Sequence, residues 1–269
     1  MGTPLKTIIA AALVLLALSV CAQAPCRAVS SNKEKDYGFV VPVLPDKVGD
    51  MKAFWQDVRT KNASALGDYM WSIGQSQLLE FQQNVSGRTL LVTYVKENSG
   101  LGPTFKENRK LNTPMAKYVR DQFENFIGYD FTASQNAPNV EKLWEWKDPN
   151  STGPSKEQAV FAMPVIPGKS NDVKGLYGEL GGARRDDIAQ LLQGQSVSRM
   201  EAFLQHRAEG DYLVQYIESD KPISAVMEDS IMSGTPVSRF MWTKLADLTG
   251  LDLSSPVLDI HLLYDWRSQ

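Results

Sequence analysis

The chain contains two copies of one sequence pattern, and this repeat restricts the possible folds more than any other feature. The segment VVPVLPDKVGDMKAFWQDV, which starts at Val40, aligns with AMPVIPGKSNDVKGLYGEL, which starts at Ala162. The offset of 122 residues holds over most of both copies, and an offset of 120 then aligns EKLWEWK, from Glu141, with HLLYDWR, from His261. Because a repeat of this length is a whole structural unit, we expect one fold to be built twice.

Each copy predicts the element order β-α-β-β-α-β. An apolar run that ends at a proline turn indicates the first strand, and residues with helical spacing follow it. Two alternating runs separated by a glycine turn predict a hairpin. Thr113 and Thr235, each followed by a proline, mark the start of a second helix, which ends near Gly128 or Gly250. A last alternating run predicts the fourth strand, and the whole order is that of a ferredoxin-like unit.

The predicted fold class is α+β, with two tandem ferredoxin-like repeats packed as an intramolecular pseudo-dimeric α/β barrel. A ferredoxin-like sheet carries helices on one face only, so the bare apolar faces of the two sheets are expected to cover each other. The predicted boundaries are a leader over 1–24, repeat one over 35–148, a polar linker over 149–158 and repeat two over 159–269. We expect a monomer with an internal pseudo-two-fold axis.

A family resemblance supports this fold. The run RMEAFLQHRAEGDYLVQYIESD, which starts at Arg199, and the later GTPVSRFMWTKL resemble a family of small bacterial stand-alone ferredoxin-like domains of unknown function. That family lies within the dimeric α/β-barrel superfamily. The resemblance covers most of the second copy and implies a shape, not an activity, because the superfamily includes cofactor-free monooxygenases, isomerases, haem proteins and sensors.

The first 24 residues have the features of a secretory signal peptide. Lys6 precedes an uncharged apolar stretch over 8–20, and small residues then lead to Ala24. This arrangement predicts an exported protein, periplasmic or secreted, with cleavage after Ala24. The apolar stretch is shorter than the roughly 20 residues that span a bilayer, so no membrane span is expected. Val20 stands before Cys21 where a lipoprotein signal needs a small residue, which argues against lipidation.

The composition and the histidine count argue against several kinds of partner. The formal net charge is −3, without long runs of like charge, so no nucleic acid is expected to bind. The only histidines are His206 and His261. They are predicted on the second and fourth strands of repeat two, at opposite edges of one sheet and about 14 Å apart, too far for one metal ion. Neither lies on a predicted helix, as a haem ligand of this superfamily would, and the sequence predicts no cofactor and no metal.

Polar residues inside otherwise apolar strands are the candidate site residues, and most of them recur in both copies, whereas His206 and His261 replace Asn84 and Glu141 of repeat one. Burying a polar group is costly unless it is paired or hydrated, so the recurrence indicates either internal hydrogen bonds or a hydrated cleft between the sheets. The candidate ligand-binding residues, including two tyrosines, are Gln83, Thr93, Tyr94, Glu145, Gln205, Gln215, Tyr216 and His261. The candidate catalytic residues are His206 and Asp265.

Three functions are compatible with this pattern. The preferred hypothesis is an exported protein that binds a small apolar or aromatic molecule between the two sheets. The first alternative is a cofactor-independent enzyme of the monooxygenase or isomerase kind, in which His206 or Asp265 is the base. The second alternative is a module whose sheet faces bind another protein.

Overall fold

The computed structural model describes residues 34–153, 155–252 and 259–268. The predicted leader over 1–24 lies outside these residues. The eight strands, numbered in chain order, are β1 Lys35–Pro42, β2 Gln75–Val85, β3 Arg88–Glu97, β4 Asn139–Lys147, β5 Glu157–Pro164, β6 Val197–His206, β7 Tyr212–Ser219 and β8 Ile260–Arg267. The α-helices are α1 Val48–Asp57, α2 Ala63–Ser72, α3 Leu101–Lys110, α4 Pro114–Ile127, α5 Ser170–Gly181, α6 Arg185–Gly194, α7 Ile223–Met232 and α8 Pro236–Thr249.

The strands form two four-stranded antiparallel sheets, with the orders β1-β3-β2-β8 and β4-β6-β7-β5. We call the first sheet with α1–α4 the first half, and the second sheet with α5–α8 the second half. The two sheets and their helices confirm the predicted α+β fold of tandem ferredoxin-like repeats in a pseudo-dimeric α/β barrel.

The fourth strand of each repeat is exchanged between the sheets. β4 closes repeat one in the sequence but pairs with β6, where Glu145 lies opposite Glu201. β8 closes repeat two but pairs with β2, where Asp265 lies opposite Leu79. The sequence repeats over 35–148 and 159–269 are therefore not the same as the two halves. Each half contains three strands of one repeat and the last strand of the other.

The exchange also changes the expected position of the two histidines. His206 ends β6 in the second sheet, whereas His261 lies on β8 in the first sheet. The expectation that they occupy opposite edges of one sheet is therefore wrong.

The bare faces of the two sheets pack against each other, as predicted. Tyr94 and Tyr216, which are equivalent in the repeat, stack at the centre with 3.8 Å between ring centroids and 4° between planes. Both rings are fully buried, and Leu79, Leu90 and Phe203 belong to the same core. This packed interface corrects the expectation of a hydrated cleft between the sheets.

Two equivalent glutamines join the sheets across this interface. Gln83 accepts a hydrogen bond from the backbone N–H of Ala162 at 2.7 Å and donates to its carbonyl at 3.0 Å. Gln205 accepts from the backbone N–H of Val40 at 2.7 Å. Since Val40 and Ala162 are themselves equivalent, the contact is repeated by the pseudo-two-fold symmetry, and it satisfies buried polar groups that would otherwise be costly.

The helix ends follow the sequence closely. The hydroxyl oxygens of Thr113 and Thr235 accept hydrogen bonds from backbone N–H groups in the first turns of α4 and α8. Gly128 and Gly250 end these helices in the left-handed conformation, with φ of 83° and 68°. Such angles are costly for residues with a Cβ, which explains why glycine occupies both positions. All four predicted helix ends are confirmed.

The first helix of each repeat departs from a regular α-helix at the same place. In the first half a π-helical segment, Val58–Asn62, joins α1 to α2. In the second half the helix is interrupted at Gly182, and α6 begins at Arg185. Helices α3 and α7 are a further addition to the predicted order. Among the described residues, no helix combines the length and hydropathy that a bilayer crossing requires.

Candidate functional site

A cavity of about 350 Å³ lies inside the first half, between the first sheet and helices α1–α4. Strands β1, β2 and β3 turn alternate side chains toward it, among them Phe39, Leu78 and Val95. The segment after α4 and the turn between β6 and β7 reach it from the side. The cavity therefore lies on the helix-covered face of the sheet, opposite the face that packs against the second sheet.

Aromatic rings form much of the cavity wall. They belong to Phe39, Phe54, Trp55, Tyr69, Phe105, Phe123, Tyr129 and Phe131. Several touch one another edge-on, with 4.8 Å between the ring centroids of Phe54 and Trp55. Because such rings offer flat apolar surfaces and interact best in stacked or edge-on geometry, the wall suits a planar apolar molecule.

A buried carboxyl group forms part of this wall. Glu80 lies on β2 with 2% of its surface exposed, and its Oε2 accepts a hydrogen bond from the Thr93 hydroxyl at 2.9 Å. Burial raises the pKa of Glu80 well above its usual value, against the hydrogen bond from Thr93, which lowers it. Burial therefore favours the neutral acid over the carboxylate.

Two further polar groups of the wall are buried and lack a hydrogen-bond partner within the described part of the chain. One is the indole Nε1 of Trp55, and the other is the amide Oε1 of Gln75. An unpaired buried donor or acceptor costs about 1–3 kcal/mol.

The rim of the cavity comes from the second half. Arg207 donates from Nη1 to the backbone carbonyl of Val40 at 3.1 Å, which ties the turn between β6 and β7 to the edge strand β1. His206 lies beside it, with Nδ1 2.9 Å from Oδ2 of Asp211. Asp211 also accepts a hydrogen bond from the Ser170 hydroxyl. Because an ionised carboxylate only accepts, Nδ1 of His206 carries the proton and Nε2 is the basic nitrogen.

Of the residues singled out in the sequence, the structure brings three to this cavity: Thr93, Gln205 and His206. Gln83, Tyr94 and Tyr216 lie in the packed interface between the sheets instead. Gln215 is buried in the second half, where its amide donates to the hydroxyl of Tyr177.

Glu145 belongs to an ion-pair network that joins the halves at one end of the sheets. Arg199 lies 2.8 Å from Asp36 and 2.5 Å from the fully buried Glu201, while Lys142 contacts all three carboxylates. Burial acts to raise the pKa of Glu145, but hydrogen bonds from Lys147 and Lys142 outweigh it and lower the pKa to about 2.

Carboxylate oxygens of Asp36, Glu145 and Glu201 lie within 4.8 Å of one another, a spacing that a metal ion could use. The adjacent guanidinium and ammonium groups already neutralise them, and we interpret the network as a bridge between the halves.

The last two candidates lie on the surface. Asp265 has 43% of its side chain exposed and is 3.8 Å from Arg267. His261 has 62% exposed, with Nε2 2.9 Å from Asp259. Neither lines the cavity.

Sequence reasoning missed Glu80, the most buried ionisable group of the cavity wall. A signal was present, because Glu80 aligns with Ala202 under the 122-residue offset. An acid that replaces alanine in the middle of an apolar strand is unusual in a covered sheet.

Comparisons with known proteins give resemblances in shape. No protein-family model matches the chain. No curated protein matches it. Among solved structures, a "putative monooxygenase" from Fusobacterium nucleatum subsp. nucleatum aligns with 87% of this chain and 94% of its own, at 9% identity and a TM-score of 0.47.

An anthrone oxidase-like protein aligns with 88% of this chain and 94% of its own, at 11% identity and a TM-score of 0.44. A "putative monooxygenase" from Lactobacillus acidophilus aligns over 86% and 93%, at 6% identity and a TM-score of 0.41. The fold assignment itself rests on the strand order in the two sheets.

Proposed function

We propose that the protein binds a small, planar, apolar molecule in the cavity of its first half. The observation that carries this proposal is the cavity of about 350 Å³ with its aromatic wall. This volume falls in the range of small-molecule sites, and the few polar groups on an otherwise apolar wall are typical of such sites.

The test uses fluorene, a planar neutral hydrocarbon, in equilibrium dialysis against the purified protein. We expect one bound molecule per chain. Val95→Phe places a larger side chain at a fully buried position of the wall and is expected to lower the affinity at least about tenfold. Asp265→Asn is the matched control, because Asp265 lies outside the cavity, and its affinity should equal that of the parent chain.

Circular dichroism confirms that both variants are folded before the comparison is made. Absence of saturable fluorene binding, or equal binding by folded Val95→Phe, contradicts the proposal. Mass spectrometry of small molecules that co-purify with the protein then identifies the natural occupant.

A second candidate function is a proton-transfer enzyme that needs no cofactor, of the isomerase or monooxygenase kind. The observation in its favour is the position of His206 on the cavity rim, where Asp211 orients the ring. A base held in this way could remove a proton next to a carbonyl group and return it to another carbon.

This candidate is tested with 2-indanone in D₂O, by following the exchange of its acidic C–H groups by NMR. We expect the protein to accelerate exchange and His206→Asn to abolish the acceleration while fluorene binding persists. Acceleration that survives in His206→Asn excludes this residue as the base.

Export is part of the proposal. It is supported by Lys6, the apolar stretch over 8–20 and the small residues that lead to Ala24. When the full chain is expressed in a bacterium, the mature protein is expected outside the cytoplasm with an N-terminus at Pro25. An intact N-terminus in the cytoplasmic fraction contradicts it.

A further inference from the structure

The position of Glu80 gives the cavity a chemical preference. Its carboxyl group is in the middle of β2, on the side that faces the helices, and it forms part of a wall that is otherwise mainly apolar. One oxygen, Oε2, is already bound by the hydroxyl of Thr93. The second oxygen is therefore the part of the group left for a molecule in the cavity.

The surroundings favour the uncharged form of this carboxyl group. The causes that act on its pKa are burial, which raises it, and the Thr93 hydrogen bond, which lowers it. A carboxylic acid held neutral in an apolar site is a hydrogen-bond donor, unlike the carboxylate.

Other titratable groups also face the cavity, and they come from several elements. Tyr69 comes from α2 and Tyr129 from the segment after α4, while His206, Arg207 and Glu209 come from the end of β6 and the turn that follows. Arg207 is paired with Glu209, and His206 with Asp211. The charged groups of the rim thus have partners of their own, and Arg207 is already paired with Glu209.

We propose that Glu80 selects the ligand by donating a hydrogen bond from its protonated carboxyl group to a carbonyl oxygen of a planar, neutral aromatic ketone. This inference rests on the proposed binding function and names the class of molecule bound. An aromatic carboxylate is disfavoured, because its charge would lose its hydration in a mainly apolar cavity.

Fluorenone and fluorene separate these contributions, since the two molecules share one planar ring system and differ in a carbonyl group. In equilibrium dialysis at pH 5 we expect fluorenone to bind about tenfold more tightly than fluorene, the ratio expected for one hydrogen bond. As the pH rises through the pKa of Glu80, the acid loses its proton and the preference for fluorenone is expected to disappear.

Two variants make the assignment specific. Glu80→Gln keeps an N–H donor but cannot titrate, so the preference for fluorenone should persist and become independent of pH. Glu80→Ala removes the donor and should bind both molecules equally. The second half already carries alanine at the equivalent position, Ala202, which is fully buried, so we expect this variant to fold.

The outcomes distinguish this inference from the proposed function. If neither molecule binds any variant, the binding function itself is wrong. If fluorene binds but fluorenone is not preferred, or if the preference survives in Glu80→Ala, the cavity is a binding site and the role of Glu80 is overturned.

Discussion

The two halves share one fold, and in the described part of the chain the first half buries a carboxyl group, Glu80, in the wall of an apolar cavity. The equivalent space of the second half belongs to a packed core in which Gln215 and Tyr177 bind each other. Three polar residues of the cavity wall align with apolar residues of the second half: Gln75 with Val197, Glu80 with Ala202, and Thr104 with Val226. This difference supports the proposal that the first half binds a small molecule, whereas the second half is packed as a core.

Truncation of one equivalent aromatic residue in each half gives the largest expected effect. Phe161→Ala opens a void in the packed half, where the ring is 1% exposed, and should lower the free energy of unfolding by about 3–5 kcal/mol. Phe39 borders the cavity and has fewer contacts to lose, so Phe39→Ala should cost about 2 kcal/mol. Urea unfolding measures both, and equal losses would show that the two halves are packed alike.

The pH dependence of stability provides the next test, because the first half also buries Glu97 where the second carries Ser219. Burial raises the pKa of Glu97 from 4.5 to about 7. The unfolded chain therefore releases this proton at lower pH than the folded chain. Stability due to the neutral group is complete below pH 4.5 and is lost as the pH rises through about 7, by about 3 kcal/mol.

Glu97→Gln should remove most of this loss between pH 5 and pH 8 in urea unfolding. Glu80 acts in the same direction, so some slope should remain. Glu107→Gln is the control, because Glu107 is exposed on α3 and paired with Lys110. A slope in Glu97→Gln as steep as in the parent chain would show that Glu97 titrates normally.

Placing the Tyr177–Gln215 pair of the second half at the equivalent positions of the first half is expected to have a smaller effect on stability. The double variant Trp55→Tyr and Thr93→Gln reproduces the pair formed by Tyr177 and Gln215. We expect it to change the free energy of unfolding by no more than about 1 kcal/mol and to weaken fluorene binding at least about tenfold. The reverse exchange, Tyr177→Trp with Gln215→Thr, is the matched control and should leave fluorene binding unchanged.

The sequence was sufficient for the order of the strands, the ends of α4 and α8 and the packing of sheet on sheet, because these depend on local patterns and on the need to cover apolar faces. It did not predict helices α3 and α7. The strand exchange could not be derived, since the alternation in β4 and β8 fits either sheet equally well. The search for a site favoured polar residues that occur in both copies. Gln83 and Gln205 recur because both sheets need the same backbone contact, whereas Glu80 occurs in one copy only.

Residues that differ between the copies but lie on the surface should have the smallest effect. Asp265 and His261 extend into solvent from β8, and their neighbours Arg267 and Asp259 are also exposed. Exposed ion pairs contribute about 0–1 kcal/mol, so Asp265→Asn and His261→Ala should each change the free energy of unfolding by less than about 0.5 kcal/mol. Both should keep the fluorene affinity of the parent chain in dialysis. A loss of affinity in either would place a ligand contact on β8, outside the cavity, and would remove the basis for assigning binding to the cavity.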